Sequence, residues 1–156
     1  YERAQQLAKE LGFSFQATWA LFTPLEKLLD YYRGICNEAD QALIDMLALP
    51  PGEAREIALR HRPAFTDCKL RAEPTTIDYD GRVALCCGVY DQKNYLTGNF
   101  LDRSHEQMQN EKYQHPLCGE CMSHGIDIYG GNWMEECDQA ALRRVIAARA
   151  ERRPGQ

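Results

Sequence analysis

The chain has 156 residues, which suits one ordinary domain or two small lobes. Hydrophobic residues make up 44% of it and charged residues 26%, a balance typical of a globular protein. The formal net charge of −5 argues against nucleic acid as the main partner, because phosphate binding requires a basic face. No apolar run approaches the roughly 18–20 residues of a membrane helix and no secretory signal is visible, so we expect a cytoplasmic protein that contacts neither membrane nor nucleic acid.

The chain begins with the pattern of a helix followed by a strand. Apolar side chains recur with helical spacing over residues 3–11, and Gly12 then provides a natural helix end. Residues 13–22, FSFQATWALF, alternate apolar and polar side chains as a strand with one buried face does. A single strand leaves its backbone groups unpaired, so we expect it to pair with a sheet outside this chain, as a piece of a larger α/β layer would. The alternative is a small α+β domain in which this strand pairs with a later hairpin.

Further helices are predicted in the next part of the chain. Residues 23–33 begin with Thr23 as N-cap and with Glu26 placed to close a capping box. Two more helices, over residues 39–47 and 52–62, are separated by a pair of prolines. This part is therefore expected to be helical apart from the one strand.

The middle of the chain predicts a β-hairpin over residues 75–87, TTIDYDGRVALCC. Asp80 and Gly81 form the turn pair, and the positive dihedral angles that this pair tolerates favour a type I′ turn. Strand alternation then places Cys87 on the face of the neighbouring valine and leucine, and Cys86 on the opposite face. We therefore expect Cys87 to be buried in the core and Cys86 to be available as a ligand.

Two helical patterns follow the hairpin. Ser104 and Gln107 form a second capping box, which opens a helix to about Tyr113. Pro116 should end that helix. A last helix is predicted over residues 138–152.

Seven cysteines are many for a chain of this length, and four of them can come together. Cys118 and Cys121 form a C-x-x-C pair in a predicted loop, which places two sulfurs within reach of one metal centre. Cys68 precedes the hairpin and Cys86 ends its second arm, so these two are expected to be close in space. Four thiolates can complete a zinc site or an iron–sulfur cluster, and the C-x-x-C pair is also compatible with a thiol redox protein.

These cysteines resemble the SPASM/twitch motif, the auxiliary iron–sulfur domain in the C-terminal part of many radical SAM proteins. Cys68 is followed after 12 residues by Gly81, after four more by Cys86, and after a long gap by Cys118 and Cys121. The resemblance implies that the four cysteines bind one 4Fe–4S cluster, for electron transfer or for structural or substrate-positioning support. The alternative is a zinc-stabilised interaction domain without redox activity.

The resemblance divides the chain into three parts. Residues 65–132 are similar to the iron–sulfur domain itself. Residues 1–64 combine a segment similar to the end of a radical SAM partial barrel with linker helices, and residues 133–156 form a C-terminal helix and tail. The expected fold is α+β: a helix–strand–helix remnant of a partial α/β barrel, followed by a small cysteine-rich domain with a β-hairpin and helices around a metal cluster.

Two departures limit what the resemblance implies. Only Cys137 follows the C-x-x-C pair, so we expect one cluster, as in the shorter twitch form. The radical SAM signature C-x-x-x-C-x-x-C is absent and no cysteine precedes Cys36, so this chain alone should not cleave S-adenosylmethionine. The resemblance implies a separate radical SAM core domain or catalytic partner, with a peptide or small-molecule substrate. It leaves open whether the chain is itself part of an enzyme.

Five other residues are weaker ligand candidates. Cys87 would replace its neighbour as a ligand if a bulge reversed the faces of the strand. Cys36 and Cys137 are expected to be buried packing residues, with Cys137 also a spare ligand. His115 and His124 flank the C-x-x-C pair. Histidine can replace cysteine on iron or zinc, but with four cysteines present we expect these histidines at the surface or hydrogen-bonded around the site.

Overall fold

A computed structural model describes residues 2–15, 19–61, 67–127 and 135–151, and within them the architecture is α+β, as predicted. The helices are α1 (Glu2–Glu10), α2 (Leu25–Tyr32), α3 (Glu38–Asp45), α4 (Pro51–Arg60), α5 (Lys69–Ala72), α6 (His105–Gln114), α7 (Pro116–Ser123) and α8 (Glu135–Glu151). The strands are β1 (Thr76–Ile77), β2 (Arg82–Ala84) and β3 (Tyr95–Asn99). Among the described residues, no helix has both the length and the apolar character needed to cross a membrane.

Most predicted helices are present close to their expected bounds. Ser104 and Gln107 form the predicted capping box at the start of α6. The Ser104 hydroxyl accepts a hydrogen bond from the Gln107 N–H at 3.2 Å, and the Gln107 side chain accepts one from the Ser104 N–H at 2.9 Å. Asn37 caps α3 by accepting from the Asp40 N–H at 2.8 Å. Local capping chemistry therefore fixes where these two helices begin.

The start of α2 differs from the predicted capping box. The peptide bond between Thr23 and Pro24 is cis, and Pro24 occupies the N-cap position with no side-chain hydrogen bond to the helix. Glu26 instead accepts hydrogen bonds from the Asp91 N–H at 3.0 Å and from the Asn94 side-chain amide at 3.1 Å. Its carboxylate therefore fastens α2 to the loop that follows the hairpin.

The strand predicted after α1 is not present in the part of that segment which the structure describes. Residues 13–15 and 19–24 have no regular secondary structure, and residues 16–18 lie outside the described residues. Trp19 packs against the helices, and its indole N–H donates to the Asp138 carboxylate at 2.7 Å. The apolar residues after α1 that the structure places in the core therefore pack against helices rather than within a sheet.

The predicted hairpin forms, but its turn is not the predicted type. β1 and β2 pair in antiparallel fashion. Gly81 has a φ of +82° whereas Asp80 does not have a positive φ, which excludes a type I′ turn. The Gly81 N–H donates to the Asp78 carbonyl at 3.1 Å, and the Asp78 N–H donates to the Arg82 carbonyl at 3.0 Å. These bonds close a connection over residues 79–81 in which glycine alone takes the left-handed conformation.

The third strand, β3, is not predicted by the sequence because its last two residues, Gly98 and Asn99, are typical of a turn. It pairs in antiparallel fashion with β2, placing Arg82 opposite Asn99 and Ala84 opposite Tyr95. The sheet order is β1-β2-β3. β2 is thus the central strand, and where it ends decides the position of the cysteines that follow it.

Two apolar cores meet beside the cysteine-bearing segments. The helical core consists of buried residues from the helices and their connections: Phe22, Leu28, Leu29, Ile44, Leu49, Ala54, Ile57, Cys121, Ile126, Cys137, Ala140 and Ala141. The sheet core consists of Val83, Leu85, Val89, Leu96 and Met108. Leu25 and Leu117 pack against both cores. The region around these two leucines is therefore where the helical and sheet parts of the molecule join.

Candidate metal centre

Cys68 stands at the start of a short helix, and its main chain is held on both sides. It is the N-cap residue of α5, and its carbonyl accepts hydrogen bonds from the N–H groups of Arg71 and Ala72 at 3.0 Å each. Its own N–H donates to the Asp67 carboxylate at 2.7 Å. Backbone hydrogen bonds therefore fix the direction in which the half-buried Cys68 side chain leaves the chain.

Cys86 lies at the base of a turn that follows the central strand. β2 ends at Ala84, and the Val89 N–H donates to the Cys86 carbonyl at 3.2 Å. Cys86 is half-buried, whereas Cys87, the next residue of the turn, is exposed. The prediction that Cys87 packs in the core is therefore wrong. The reason is that strand alternation stops at Ala84, so it no longer decides which side chain is buried.

Cys118 and Cys121 lie on one helix rather than in the predicted loop. Pro116 ends α6 as predicted, but it also begins α7, which contains both cysteines. His115 is the N-cap residue, and its Nδ1 accepts a hydrogen bond from the Leu117 N–H at 3.2 Å. Because the two cysteines are three positions apart on a helix, their side chains share one face.

The four predicted ligand cysteines surround one cavity of about 20 Å³. The described residues that line this cysteine cavity are Leu25, Cys68, Arg71, Leu85, Cys86, Val89, Leu117, Cys118, Cys121 and Met122. Cys121 is 8% exposed, and the other three cysteines are half-buried. The fold thus collects thiols from α5, from the turn after β2 and from α7 at the junction of the two cores.

The spacing of these thiols and the volume of the cavity decide whether a single zinc ion or a four-iron cluster could bind between them. Among the described residues, no three His, Cys, Asp or Glu side chains are grouped closely enough to hold one metal ion. A tetrahedral zinc ion with Zn–S bonds of about 2.3 Å would need its sulfurs roughly 3.8 Å apart. A four-iron cluster holds its cysteine sulfurs farther apart, because each sulfur binds a different iron. The cavity has the volume of about one water-sized sphere, so zinc would require the thiols to move inward and a cluster would require the walls to move outward.

Burial determines the protonation of these thiols. It raises the pKa of Cys68 and Cys118, raises the pKa of Cys86 to about 11, and raises the pKa of Cys121 well above its ordinary value. A metal that binds here must therefore displace protons. No disulfide joins any two of the seven cysteines, all of which lie within the described residues. A redox-active Cys118–Cys121 pair needs a lowered thiol pKa, which this burial opposes.

Two cationic side chains beside the cavity were not identified from the sequence. Lys112 of α6 is fully buried, and its ammonium group donates to the Pro74 carbonyl at 2.8 Å. Burial lowers the pKa of Lys112, while three of the cavity thiols act to raise it. Arg71 lines the cavity, pairs with the Asp67 carboxylate, and lies 3.9 Å from the centre of the Tyr113 ring. The surroundings of the thiols are therefore apolar with two cations, and the buried carboxylate of Asp127 acts in the opposite direction by raising the pKa of Cys68 and Cys121.

The weaker candidates from the sequence lie elsewhere. Cys36 is exposed, so the prediction that it is buried is wrong; it lies in the open connection between α2 and α3. Cys137 is 2% exposed and packs in the helical core, as predicted. The His124 ring stacks on the Tyr32 ring at 5.6 Å between centroids. Neither His124 nor His115 is among the described residues that line the cysteine cavity, so the geometry gives neither a ligand role.

Comparison of the chain with family models, with curated protein sequences and with solved structures yields no match in any of the three. The resemblance to the SPASM/twitch domain therefore rests on the cysteine spacing and the hairpin, and it stays a prediction. The structure adds that the four cysteines of this spacing lie around one cavity.

Proposed function

We propose that this chain binds one auxiliary 4Fe–4S cluster through Cys68, Cys86, Cys118 and Cys121. The observation that carries the proposal is that these four thiols line one cavity, although they come from segments separated by the hairpin and by α6. Four cysteines that served only as small apolar packing residues would not be expected to line the same cavity. Convergence of four thiols on one point is the arrangement that thiolate-bound metal groups require.

One feature favours an iron–sulfur cluster over zinc, and it comes from the sequence. The order and spacing of the cysteines resemble the SPASM/twitch motif, whose members bind iron–sulfur clusters.

With four cysteine ligands, the cluster would have no iron open to a substrate. This favours electron transfer, or structural and substrate-positioning support, over direct binding of substrate to iron. Leu25, Leu85, Val89 and Leu117 give the site apolar walls, which reduce its contact with water. Exclusion of solvent and the charges near the sulfurs are the means by which a protein adjusts such a cluster.

The wider role follows from the resemblance. The chain would act with a radical SAM core domain or catalytic partner that binds S-adenosylmethionine, and the substrate would be a peptide or a small molecule. The residues of this chain would hold the auxiliary cluster, and the partner would carry the SAM-cleaving cluster.

Anaerobic reconstitution with iron and sulfide tests the proposal. The wild-type chain should take up four irons and four sulfides and develop the brown charge-transfer absorbance of such clusters. Cys118→Ala should lose both the colour and the bound sulfide. Cys87→Ala is the matched control, because Cys87 is exposed and does not line the cavity, and it should bind iron as the wild type does.

Zinc is the second candidate, as the structural ion of an interaction domain without redox activity. It is favoured by the small volume of the cavity, which holds about one water-sized sphere. Metal analysis of freshly isolated protein separates the two candidates. One zinc per chain that resists exchange, with no sulfide and with unfolding on chelation, would replace the cluster proposal by this one.

A further inference from the structure

Lys112 is the least expected residue beside the cysteine cavity. It lies in the last turn of α6 and has 0% of its surface exposed. Met108, one helical turn earlier on the same face, belongs to the sheet core. Lysine is almost never fully buried unless its charge is compensated, because moving an ammonium group out of water is costly.

No carboxylate compensates this charge among the described residues. The ion pairs of the described chain do not include Lys112. The adjacent Glu111 pairs instead with Arg103 and accepts a hydrogen bond from the Thr97 N–H at 2.7 Å. The carbonyl of Pro74 supplies a hydrogen bond to Lys112 but no full negative charge.

Cys86 and Cys118 pack against the sheet core that contains Met108, one helical turn before Lys112. These two thiols and Cys68 each favour the charged form of Lys112 when they are thiolates. Protonated thiols carry no charge, so they compensate the ammonium group only when a metal group has displaced their protons. Arg71, the other cation at the cavity, is already paired with Asp67.

We propose that Lys112 is the buried counter-charge of the cluster and that it raises the cluster's reduction potential. This inference rests on the proposed function. Reduction adds an electron to a group enclosed by apolar side chains, where a nearby positive charge stabilises the reduced form strongly. Lys112 is thus a tuning residue that acts on the cluster without binding it.

The reduction potential of the reconstituted chain tests the inference. Lys112→Met should retain iron and sulfide but favour the oxidised cluster at least tenfold, a negative shift of about 59 mV for one electron. Lys112→Gln keeps a donor for the Pro74 carbonyl without the charge, and it should show a similar shift. Lys112→Arg keeps the charge and should remain close to the wild type. Lys69→Met is the control, because Lys69 is exposed next to Cys68 and its charge is screened by water.

Each result of the reduction-potential experiment either supports or overturns the role of Lys112. A wild-type chain that assembles no cluster overturns the proposed function, and with it this inference. An assembled cluster whose potential is the same in wild type, Lys112→Met and Lys112→Gln overturns the inference and leaves the proposed function standing. A shift in Lys112→Met but not in Lys112→Gln would assign the effect to the hydrogen bond rather than the charge, and would also overturn it. If Lys112→Met does not fold, Lys112→Gln and Lys112→Arg still separate charge from hydrogen bonding.

Discussion

The backbone N–H of Leu25 donates a hydrogen bond of 2.7 Å to the carbonyl of Gly88. Leu25 begins α2 and packs against both apolar cores, and Gly88 belongs to the turn that carries Cys86. This bond therefore joins the helical part of the molecule to the sheet part at the wall of the cysteine cavity. Because the cavity exists only where the two parts meet, metal binding and the packing of the two cores should depend on each other.

Glu26 should support the site from the same junction. Its carboxylate accepts hydrogen bonds from the Asp91 N–H and the Asn94 amide, which hold the loop after the hairpin against α2. Glu26→Ala leaves these donors without their acceptor and should lower the free energy of unfolding by about 1–3 kcal/mol. Urea unfolding measures this, with the exposed Glu56→Ala as control. Equal stability of the two variants would show that the contact does not hold the junction.

Cys86 and Cys87 should differ sharply although they are neighbours. Cys86 lines the cavity, and Cys87 is exposed in the turn. Cys86→Ala should therefore abolish cluster assembly, whereas Cys87→Ala should leave iron and sulfide content unchanged. Anaerobic reconstitution of both variants measures the difference. Loss of iron in Cys87→Ala but not in Cys86→Ala would show that Cys87, and not Cys86, is the ligand.

The metal-free protein should lose stability as the pH rises. Burial holds the pKa of Cys86 at about 11, whereas a thiol in an unfolded chain has a pKa of about 8.5. Between these values the unfolded chain releases its proton and the folded chain keeps it, so rising pH favours unfolding. The contribution of Cys86 should be fully present below about pH 8 and should fall by on the order of 3 kcal/mol by about pH 11.

Urea unfolding of the metal-free, reduced protein at about pH 7 and about pH 10 measures this loss. Cys86→Ser removes the titrating group and should reduce the pH dependence. Cys87→Ser, which changes an exposed thiol, should not. A free energy of unfolding that is equal at both pH values in the wild type would contradict the burial of these thiols.

Metal removal should change which thiols react with an alkylating reagent. In the loaded protein the exposed Cys36 and Cys87 should react first, because the four cavity cysteines are bound. After chelation the half-buried Cys68, Cys86 and Cys118 should react as well at about pH 9–10, more slowly than the exposed cysteines because burial raises their pKa values. Mass spectrometry of the alkylated chain identifies each site. The same reactive set before and after chelation would mean that the metal is not held by these cysteines.

Local patterns predicted the parts of the fold that depend on neighbouring residues. The capping box of Ser104 and Gln107 and the pairing of β1 with β2 were both predicted, because hydrogen bonds close in sequence determine them. The type of turn was not, since one residue, Gly81, rather than two adopts a positive φ. Cys86 lines the cavity, and its role as a ligand stays a prediction; the argument from strand alternation failed for Cys87, which is exposed.

Long-range contacts account for most of what the sequence did not predict. The sequence predicts that the carboxylate of Glu26 caps its own helix, whereas it accepts hydrogen bonds from Asp91 and Asn94. From the sequence, Lys112 would be expected as a solvent-exposed charge, yet it is fully buried. The sequence indicates this burial only through its position one helical turn after Met108. The partners of Glu26 and the burial of Lys112 depend on which parts of the chain pack together, and a local sequence pattern does not contain that information.

The most direct test of the account is the iron and acid-labile sulfide content of the chain isolated anaerobically, with electron paramagnetic resonance after reduction. We predict four irons and four sulfides per chain and a paramagnetic reduced cluster, all lost when any one of Cys68, Cys86, Cys118 or Cys121 is replaced. One zinc per chain without sulfide, or metal content that survives replacement of these cysteines, would contradict it.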